Sequence, residues 1–172
     1  ALGVIVQEDL GNTILRDVLA VSDAAEKETL LNAAIRLIAR IQKATASAYD
    51  SGSISSRLKF DTDKLMWELD FFTEHYFRSF RKVDLHNSVS SSLRVEFLDL
   101  CEELDSRARV LCHRDFHAAN LMIDTDGELR IIDHQDARIG TTAYDLVSLL
   151  LDRITEHPSA DWLAGKRAQF LV

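Results

Sequence analysis

Apolar residues recur at steps of three and four positions along several stretches of the chain, the spacing that one face of an α-helix requires. This pattern predicts helices over residues 22–48, 61–81 and 93–107, and shorter ones over residues 143–154 and 162–172. Ser22 or Asp23 can cap the first helix and Asp61 the second, because their side-chain oxygens can accept from free backbone N–H groups.

The apolar ridge of each long helix is expected to face the core. In the second helix the ridge consists of Leu65, Leu69, Phe72, Tyr76 and Phe80, and in the third of Leu93, Phe97, Leu100, Cys101 and Leu104. Aromatic residues at helical spacing are more often buried than used as ligand contacts, so we expect these side chains in the core.

Residues 110–136 follow a different pattern, in which short apolar runs alternate with polar residues. Apolar residues at 121–123 and at 129–132 flank Asp126-Gly127, and Asp-Gly between two apolar runs is a strong signal for a β-hairpin. Asn120 comes just before the first predicted strand and Asp133 just after the second. Because the two ends of a hairpin lie side by side, we expect Asn120 and Asp133 to meet.

The polar residues around this hairpin have a common chemical use. Asp115 lies five residues before Asn120, in the loop that leads to the same corner. Oxygen ligands such as Asn120 and Asp133 suit Mg²⁺, and phosphoryl transfer also needs a carboxylate that deprotonates the attacking hydroxyl group. The pattern therefore predicts a magnesium site beside a catalytic base, Asp115, with His113 holding the loop through backbone hydrogen bonds.

The segment His113-Arg114-Asp115 followed by Asn120 fits the catalytic loop of protein kinases. With Phe116-His117 and the trailing Asp133, the chain resembles the aminoglycoside phosphotransferase and choline kinase group. The resemblance is closest to the bacterial kinases that phosphorylate N-acetylmuramate and N-acetylglucosamine, amino sugars of the cell wall, at the anomeric hydroxyl. It rests on His-Arg-Asp-Phe-His-Ala-Ala-Asn-Leu-Met at 113–122, Ile-Asp-His-Gln-Asp-Ala at 132–137 and Ala-Tyr-Asp-Leu-Val-Ser-Leu-Leu at 143–150.

This resemblance implies a mainly α-helical (α+β) fold, the C-terminal lobe of a protein-kinase-like fold with a small β-hairpin at the catalytic centre. Residues 1–11 would form the end of an N-lobe strand and the hinge, and residues 12–172 the helical C-lobe. The family's adenine contacts match Gln7, Glu8, Asp9 and Leu10, and the aspartate that braces its catalytic loop matches Asp145. No Gly-X-Gly-X-X-Gly or Walker pattern is present, so we expect a missing N-lobe. The helix predicted over residues 162–172 is expected to be cut short by a truncated C-terminus.

The resemblance also implies ATP and Mg²⁺ as cofactors and a small-molecule acceptor, an amino sugar in the context of cell-wall recycling. The candidate acceptor contacts are His117, His134, Gln135 and Asp136, although residues in such loops also serve packing. An aminoglycoside, choline or homoserine kinase is the alternative within the same class.

Two hypotheses from other classes remain open. His113, Asp115 and His117 at alternate positions, with His134, could bind Zn²⁺ and make a metallohydrolase, which would leave the hairpin arrangement unused. A kinase-like lobe could also serve as a non-catalytic binding module, although the intact Asp, Asn and Asp set argues for chemistry.

Composition restricts the partners. The formal net charge of −8 argues against nucleic acid, and no apolar stretch approaches the roughly 20 residues of a membrane span. Cys101 and Cys112 lack metal-binding spacing and are expected to be reduced core thiols, as in a cytoplasmic protein. The sequence does not determine the oligomeric state, but a truncated fragment would be open to self-association through a strand edge at residues 2–6.

Overall fold

The computed structural model describes residue 3 and residues 8–152, 155 and 158–171. Over that part of the chain the structure is mostly helical, with two antiparallel pairs of short strands, which confirms the predicted mainly α-helical class. None of the described helices is long and apolar enough to cross a membrane. The strand edge expected at residues 2–6 lies, apart from Gly3, outside the described residues.

In chain order the helices are α1 (Leu15–Val21), α2 (Ala24–Lys43), α3 (Thr45–Asp50), α4 (Ile54–Arg57), α5 (Thr62–Phe72), α6 (Asn87–Arg107), α7 (Tyr144–Leu150) and α8 (Ala160–Phe170). The strands are β1 (Val110–Cys112), β2 (Leu121–Ile123), β3 (Leu129–Ile131) and β4 (Arg138–Gly140). A π-helix at Thr73–Phe80 continues α5, and 3-10 turns lie at Ala118–Asn120 and His134–Asp136.

The described residues fall into two compact units, of which the first draws on Ala1–Ile41, His113–Asp136 and Asp145–Val172. Its core is formed by α1, α2, α7 and the β2–β3 hairpin, and its fully buried side chains include Leu15, Ile38, Phe116, Leu121 and Leu149. The backbone N–H of Ile123 donates to the Thr13 carbonyl at 2.9 Å, which ties β2 to the segment before α1. The hairpin is therefore fixed to the helical core along its first strand.

The second unit comprises Gln42–Cys112 and Ala137–Tyr144. In it β1 pairs with β4, with Leu111 opposite Ile139, and α5 packs on α6. Phe60 is buried and its ring stacks on Tyr144, with 4.1 Å between the ring centroids. The other buried members of this core are Leu65, Met66 and Cys101.

Two predicted helix caps are present. Asp23 Oδ1 accepts from the backbone N–H of Glu26 at 2.9 Å and begins α2. Asp61 Oδ1 accepts from the backbone N–H of Lys64 at 2.8 Å and begins α5. Each carboxylate satisfies a donor that the first turn of a helix would otherwise leave free.

The helix predicted over residues 22–48 is interrupted at Ala44 and forms α2 and α3. At this point the Thr45 hydroxyl donates to the Gln42 carbonyl at 2.5 Å and accepts from the Leu111 N–H at 2.9 Å. Side-chain hydrogen bonds of this kind compete with the helix's own backbone bonds. The periodic apolar pattern carried no sign of this competition.

Two other boundaries differ from the predictions. The third long helix, α6, begins at Asn87 instead of residue 93, because His86 Nδ1 accepts from the Ser88 N–H at 3.3 Å and caps it. Residues 138–140, which lie between the predicted hairpin and the helix predicted over residues 143–154, form strand β4, whose partner β1 is distant in sequence.

Four apolar positions predicted for the core are exposed instead. Phe72, Tyr76 and Phe80 are 44%, 40% and 75% exposed, and Leu100 is 47% exposed. The rings contact one another along the helix surface, with 5.2 Å between the centroids of Phe72 and Tyr76. Helical spacing identifies residues that share a face but does not tell whether another element covers that face.

Gly140→Ala is expected to destabilise the protein by about 1–3 kcal/mol. A Cβ atom at Gly140 would lie 2.9 Å from Cys112 Sγ and 2.9 Å from Phe60 Cδ2, both of which are buried. Gly165→Ala is the matched control, since a Cβ there meets no atom within 4 Å inside α8. The control is expected to gain about 0.5–1 kcal/mol from helix propensity. Urea unfolding of both variants measures the difference, and equal effects would contradict the packing described for β4.

Candidate active site

The β2–β3 hairpin brings Asn120 and Asp133 to the same end, as the sequence predicts. Leu121 pairs with Ile131 across the hairpin, and the Ile132 N–H donates to the Asn120 carbonyl at 3.1 Å. The reversal is made by Gly127, whose φ of +80° suits a residue without a side chain. The residue that follows Ile132 therefore leaves the hairpin beside Asn120.

Asp133 has a φ of +66°, in the left-handed region that few residues other than glycine adopt. Its Oδ1 accepts from Gln135 Nε2 at 2.5 Å, and the side chain is exposed. Strained backbone of this kind persists only where the surroundings enforce it, and it concentrates at functional sites. The backbone conformation therefore marks Asp133 as a candidate functional residue independently of any sequence motif.

The loop before the hairpin is held by Asp145 at the start of α7. The Asp145 side chain is fully buried, and its two oxygens accept from the backbone N–H groups of His113 at 2.7 Å and Arg114 at 3.0 Å. Burial raises the pKa of the Asp145 carboxyl, while the two backbone hydrogen bonds act in the opposite direction. Both carboxylate oxygens are thus committed to the loop.

His113 joins this loop to the end of the hairpin. Its side chain is buried, and Nε2 lies 3.0 Å from the Ile132 carbonyl, so Nε2 must carry the proton and donate. Nδ1 is buried without a hydrogen-bond partner among the described residues. The imidazole therefore holds the residue next to Asp133, in agreement with a scaffold function.

Asn120 contacts the loop through its amide nitrogen. Nδ2 donates to the Asp115 carbonyl at 3.0 Å and lies 3.4 Å from His117 Nε2. These contacts leave Asn120 Oδ1 without a hydrogen-bond partner in the part of the chain that the structure describes. Asn120 Oδ1 is therefore available as a ligand, whereas Nδ2 fixes the backbone at Asp115 through its hydrogen bond.

The Asp115 carboxylate is partly accessible. Its side chain is 44% exposed, and Oδ2 lies 3.7 Å from Nη1 of Arg114. The turn around it is closed by two backbone hydrogen bonds, from His117 N–H to the Asp115 carbonyl at 3.0 Å and from Asn120 N–H to the His117 carbonyl at 2.9 Å. A small polar molecule can therefore approach a carboxylate whose backbone is fixed.

A cleft of about 860 Å³ opens beside the hairpin end. Its lining includes both predicted metal ligands, Asn120 and Asp133, and three of the predicted adenine contacts, Glu8, Asp9 and Leu10. It also includes two of the predicted acceptor contacts, His134 and Gln135. The other four lining residues are Gly11, Met122, Ile131 and Ile132. Asp115, His113, His117, Asp136 and Asp145 do not line it. Gln7 lies outside the described residues.

The donor set of this cleft fits a magnesium ion that also binds a phosphate group. Asn120 supplies an amide oxygen and Asp133 a carboxylate, and Mg²⁺ is commonly held by one or two such ligands while substrate phosphates and water complete its shell. No group of three or more His, Cys, Asp and Glu residues is placed to hold a metal ion among the described residues. The zinc hypothesis needs the side chains of His113, Asp115 and His117, with His134, to converge on one ion, so this finding does not favour it.

Two residues of the site were not singled out from the sequence. Arg114 has a φ of +86° and donates through Nη1 to Asp136 Oδ2 at 2.7 Å. Asp152 Oδ2 accepts from the Ala118 N–H at 3.2 Å and supports the turn before Asn120. In the helix predicted over residues 143–154, Asp152 would share a face with Asp145, seven residues earlier, and this spacing was the available signal.

Asp145→Asn is expected to destabilise the protein by about 1–3 kcal/mol, because an amide has one acceptor oxygen for two buried N–H donors. Urea unfolding measures the loss, with Asp126→Asn, an exposed turn residue, as the control.

Nearly the whole chain matches a known protein family. Residues 2–171 match the model of the Phosphotransferase enzyme family, and the chain belongs to this family. The resemblance seen in the motifs is confirmed at this level.

Two relatives are named for the same activity. The chain is 31% identical over 156 residues to an N-acetylmuramate/N-acetylglucosamine kinase of Neisseria meningitidis serogroup B, covering 90% of this chain and 44% of that protein. It is 31% identical over 159 residues to an N-acetylmuramate/N-acetylglucosamine kinase of Caulobacter vibrioides, covering 88% of this chain and 43% of that protein. The chain thus spans less than half the length of these relatives.

Proposed function

We propose that the full-length protein is an ATP-dependent phosphotransferase whose acceptor is a hydroxyl group of a small molecule. The observation that carries this proposal is the cleft in which Asn120 and Asp133 lie together with Glu8, Asp9 and Leu10. A nucleotide needs a place for its base and a cation for its phosphates, and the cleft has candidates for both. Membership of the Phosphotransferase enzyme family supports the same conclusion.

In this proposal Asn120 and Asp133 hold Mg²⁺, which neutralises charge on the phosphates when it is bound. The unpartnered Oδ1 of Asn120 and the exposed carboxylate of Asp133 support these assignments. The backbone groups of Glu8, Asp9 and Leu10, together with Gln7, place the adenine base. Their position along the lining of the cleft supports this assignment for the three described residues.

Asp115 accepts the proton of the acceptor hydroxyl group. Its accessible carboxylate supports this function, and so does the loop, whose backbone is held by Asp145 just before Asp115 and by Asn120 at the Asp115 carbonyl. The transition state of phosphoryl transfer is loose, so positioning and electrostatic stabilisation supply most of the rate. A rigid loop is the structural requirement for this kind of catalysis.

The acceptor that we infer is an amino sugar such as N-acetylmuramate or N-acetylglucosamine, phosphorylated at the anomeric position. The activity for which both relatives are named supports this choice. His117, His134 and Gln135 are proposed acceptor contacts, and the last two line the cleft. Asp136 is less suited to this use, because its carboxylate already accepts from Arg114.

Residues 1–11 are proposed as the end of an N-lobe strand and the hinge, and residues 12–172 as the C-lobe. The sequence contains no glycine-rich phosphate loop, and the chain covers 44% of the length of one relative, which supports a separate N-lobe as the source of that loop. The 172-residue chain alone is therefore expected to bind ATP weakly and to turn over none. Titration calorimetry with ATP and Mg²⁺ measures this, and tight binding by the chain would contradict the division into lobes.

A screen of ATP consumption by the full-length protein tests the proposed activity. Amino sugars, aminoglycosides, choline and homoserine serve as acceptors, each with Mg²⁺ and with the metal chelated. We expect ADP to form only with Mg²⁺ and an amino sugar. Turnover with another acceptor would overturn the amino-sugar assignment, and no acceptor-dependent turnover at all would overturn the phosphotransferase proposal.

A further inference from the structure

Arg114 has an unusual backbone conformation that is held from two sides. Its φ of +86° is unfavourable for a residue with a side chain, so other contacts must enforce it. The Arg114 N–H donates to Asp145 Oδ1 at 3.0 Å, and Nη1 donates to Asp136 Oδ2 at 2.7 Å. The backbone and the guanidinium group of one residue are therefore anchored to two different segments.

The same nitrogen of Arg114 faces two carboxylates. Nη1 lies 2.7 Å from Asp136 Oδ2 and 3.7 Å from Asp115 Oδ2. Asp136 is thus the hydrogen-bonded partner, while the Asp115 carboxylate is attracted to the guanidinium without being bound by it. Asp115 Oδ1 accepts no hydrogen bond from the described residues, so one oxygen faces the cation and the other stays available.

The ion pair joins the two segments on which the proposed chemistry depends. Arg114 immediately precedes Asp115, and Asp136 follows Asp133 by three residues in the turn His134–Asp136. The side chains of Arg114 and Asp136 are 22% and 44% exposed. Ion pairs at this level of exposure contribute little to stability, so a contribution to folding does not explain the pair.

We propose that Arg114 and Asp136 form a clamp that orients the Asp115 carboxylate relative to the Asp133 segment. Both are positioning residues that act through Asp115, and Asp136 is not an acceptor contact. This inference rests on the proposed function, because it assigns the clamp to the step in which Asp115 takes the proton.

A double-mutant cycle of Arg114→Met and Asp136→Asn in the full-length protein tests the clamp. Each single variant is expected to lower kcat 10- to 100-fold, roughly the effect of misplacing a catalytic group by about 1 Å, with KM for ATP changed less than about threefold. The decrease in kcat of the double variant should be no larger than that of the more impaired single variant, because both substitutions break the same interaction. Arg130→Met is the matched control, since it removes an Arg–Asp pair at 2.6 Å within the adjoining β2–β3 hairpin and should leave kcat unchanged.

A second measurement does not depend on turnover. Amide hydrogen exchange in the chain follows the N–H groups of His117 and Asn120, which close the turn around Asp115. Both clamp variants should exchange at least about tenfold faster there, and the Arg130→Met control should not. Additive losses in kcat, a raised KM for ATP with normal kcat, or unchanged exchange would each overturn the clamp. If the unsubstituted protein showed no phosphotransfer, only the proposed function would be contradicted. The exchange rates would then test the clamp by themselves.

Discussion

Asp133→Asn is expected to lower kcat of the full-length protein by about three decades and to make the remaining activity depend on excess Mg²⁺. The substitution removes the charge next to the proposed cation and keeps the size of the side chain. Asparagine also tolerates the left-handed φ of +66°, so the variant should fold like the parent. Steady-state rates over a Mg²⁺ titration measure the effect. Asp133→Ala, which removes the oxygen ligands altogether, should abolish activity.

The matched control for this experiment is Asp124→Asn. Asp124 lies in the turn of the same hairpin, and its hydrogen bond with Arg130 lowers the pKa of the Asp124 carboxyl. It does not line the cleft, so its replacement should leave kcat and the Mg²⁺ dependence unchanged. An Asp133→Ala protein that retained more than about a tenth of the parent activity would exclude Asp133 as a metal ligand, since losing such a ligand costs several kcal/mol of transition-state stabilisation.

Asp115→Asn is expected to fail in a different way, with kcat lowered by about two to four decades and the affinity for ATP and Mg²⁺ near normal. The amide keeps the size and the polarity of the side chain but cannot take the hydroxyl proton. Asp115 also does not line the cleft in which the nucleotide is proposed to bind. Calorimetry of nucleotide binding, measured beside the steady-state rates, separates the two defects.

The comparison of the two variants also tests the metallohydrolase hypothesis. If Asp115→Asn and Asp133→Asn lost metal equally, and replacements of His113 and His117 did the same, the histidines would be ligands. The structure makes a different prediction, because no group of three or more His, Cys, Asp and Glu residues among those described is placed to hold a metal ion, and His113 binds the Ile132 carbonyl. His113→Ala should therefore weaken the loop without changing the metal content.

The parts of the site that sequence reasoning anticipated depend on local signals. Asp126-Gly127 between two apolar runs predicts a reversal, and a reversal by itself places Asn120 next to the segment of Asp133. The caps at Asp23 and Asp61 are local for the same reason, since each carboxylate reaches a backbone N–H three residues away. An interaction between residues only a few positions apart can be predicted from that short stretch of sequence.

The parts that were missed depend on partners distant in sequence. Strand β4 exists because Ile139 pairs with Leu111, and no feature of residues 138–140 alone predicts it. Phe80 is exposed because none of the described elements covers its face of the π-helix. The apolar periodicity of a sequence does not show whether a face is covered. Arg114 and Asp136 are 22 positions apart in sequence, and they pair because the hairpin between them brings them together.

Phosphorus NMR of the products tests the central claim most directly. The full-length protein is incubated with ATP, Mg²⁺ and N-acetylmuramate or N-acetylglucosamine, and the fate of the γ-phosphate is followed. The proposed function predicts ADP together with a new signal of a sugar phosphate at the anomeric position, absent from the Asp115→Asn reaction. Intact ATP with both sugars, or release of inorganic phosphate without any sugar phosphate, would contradict it.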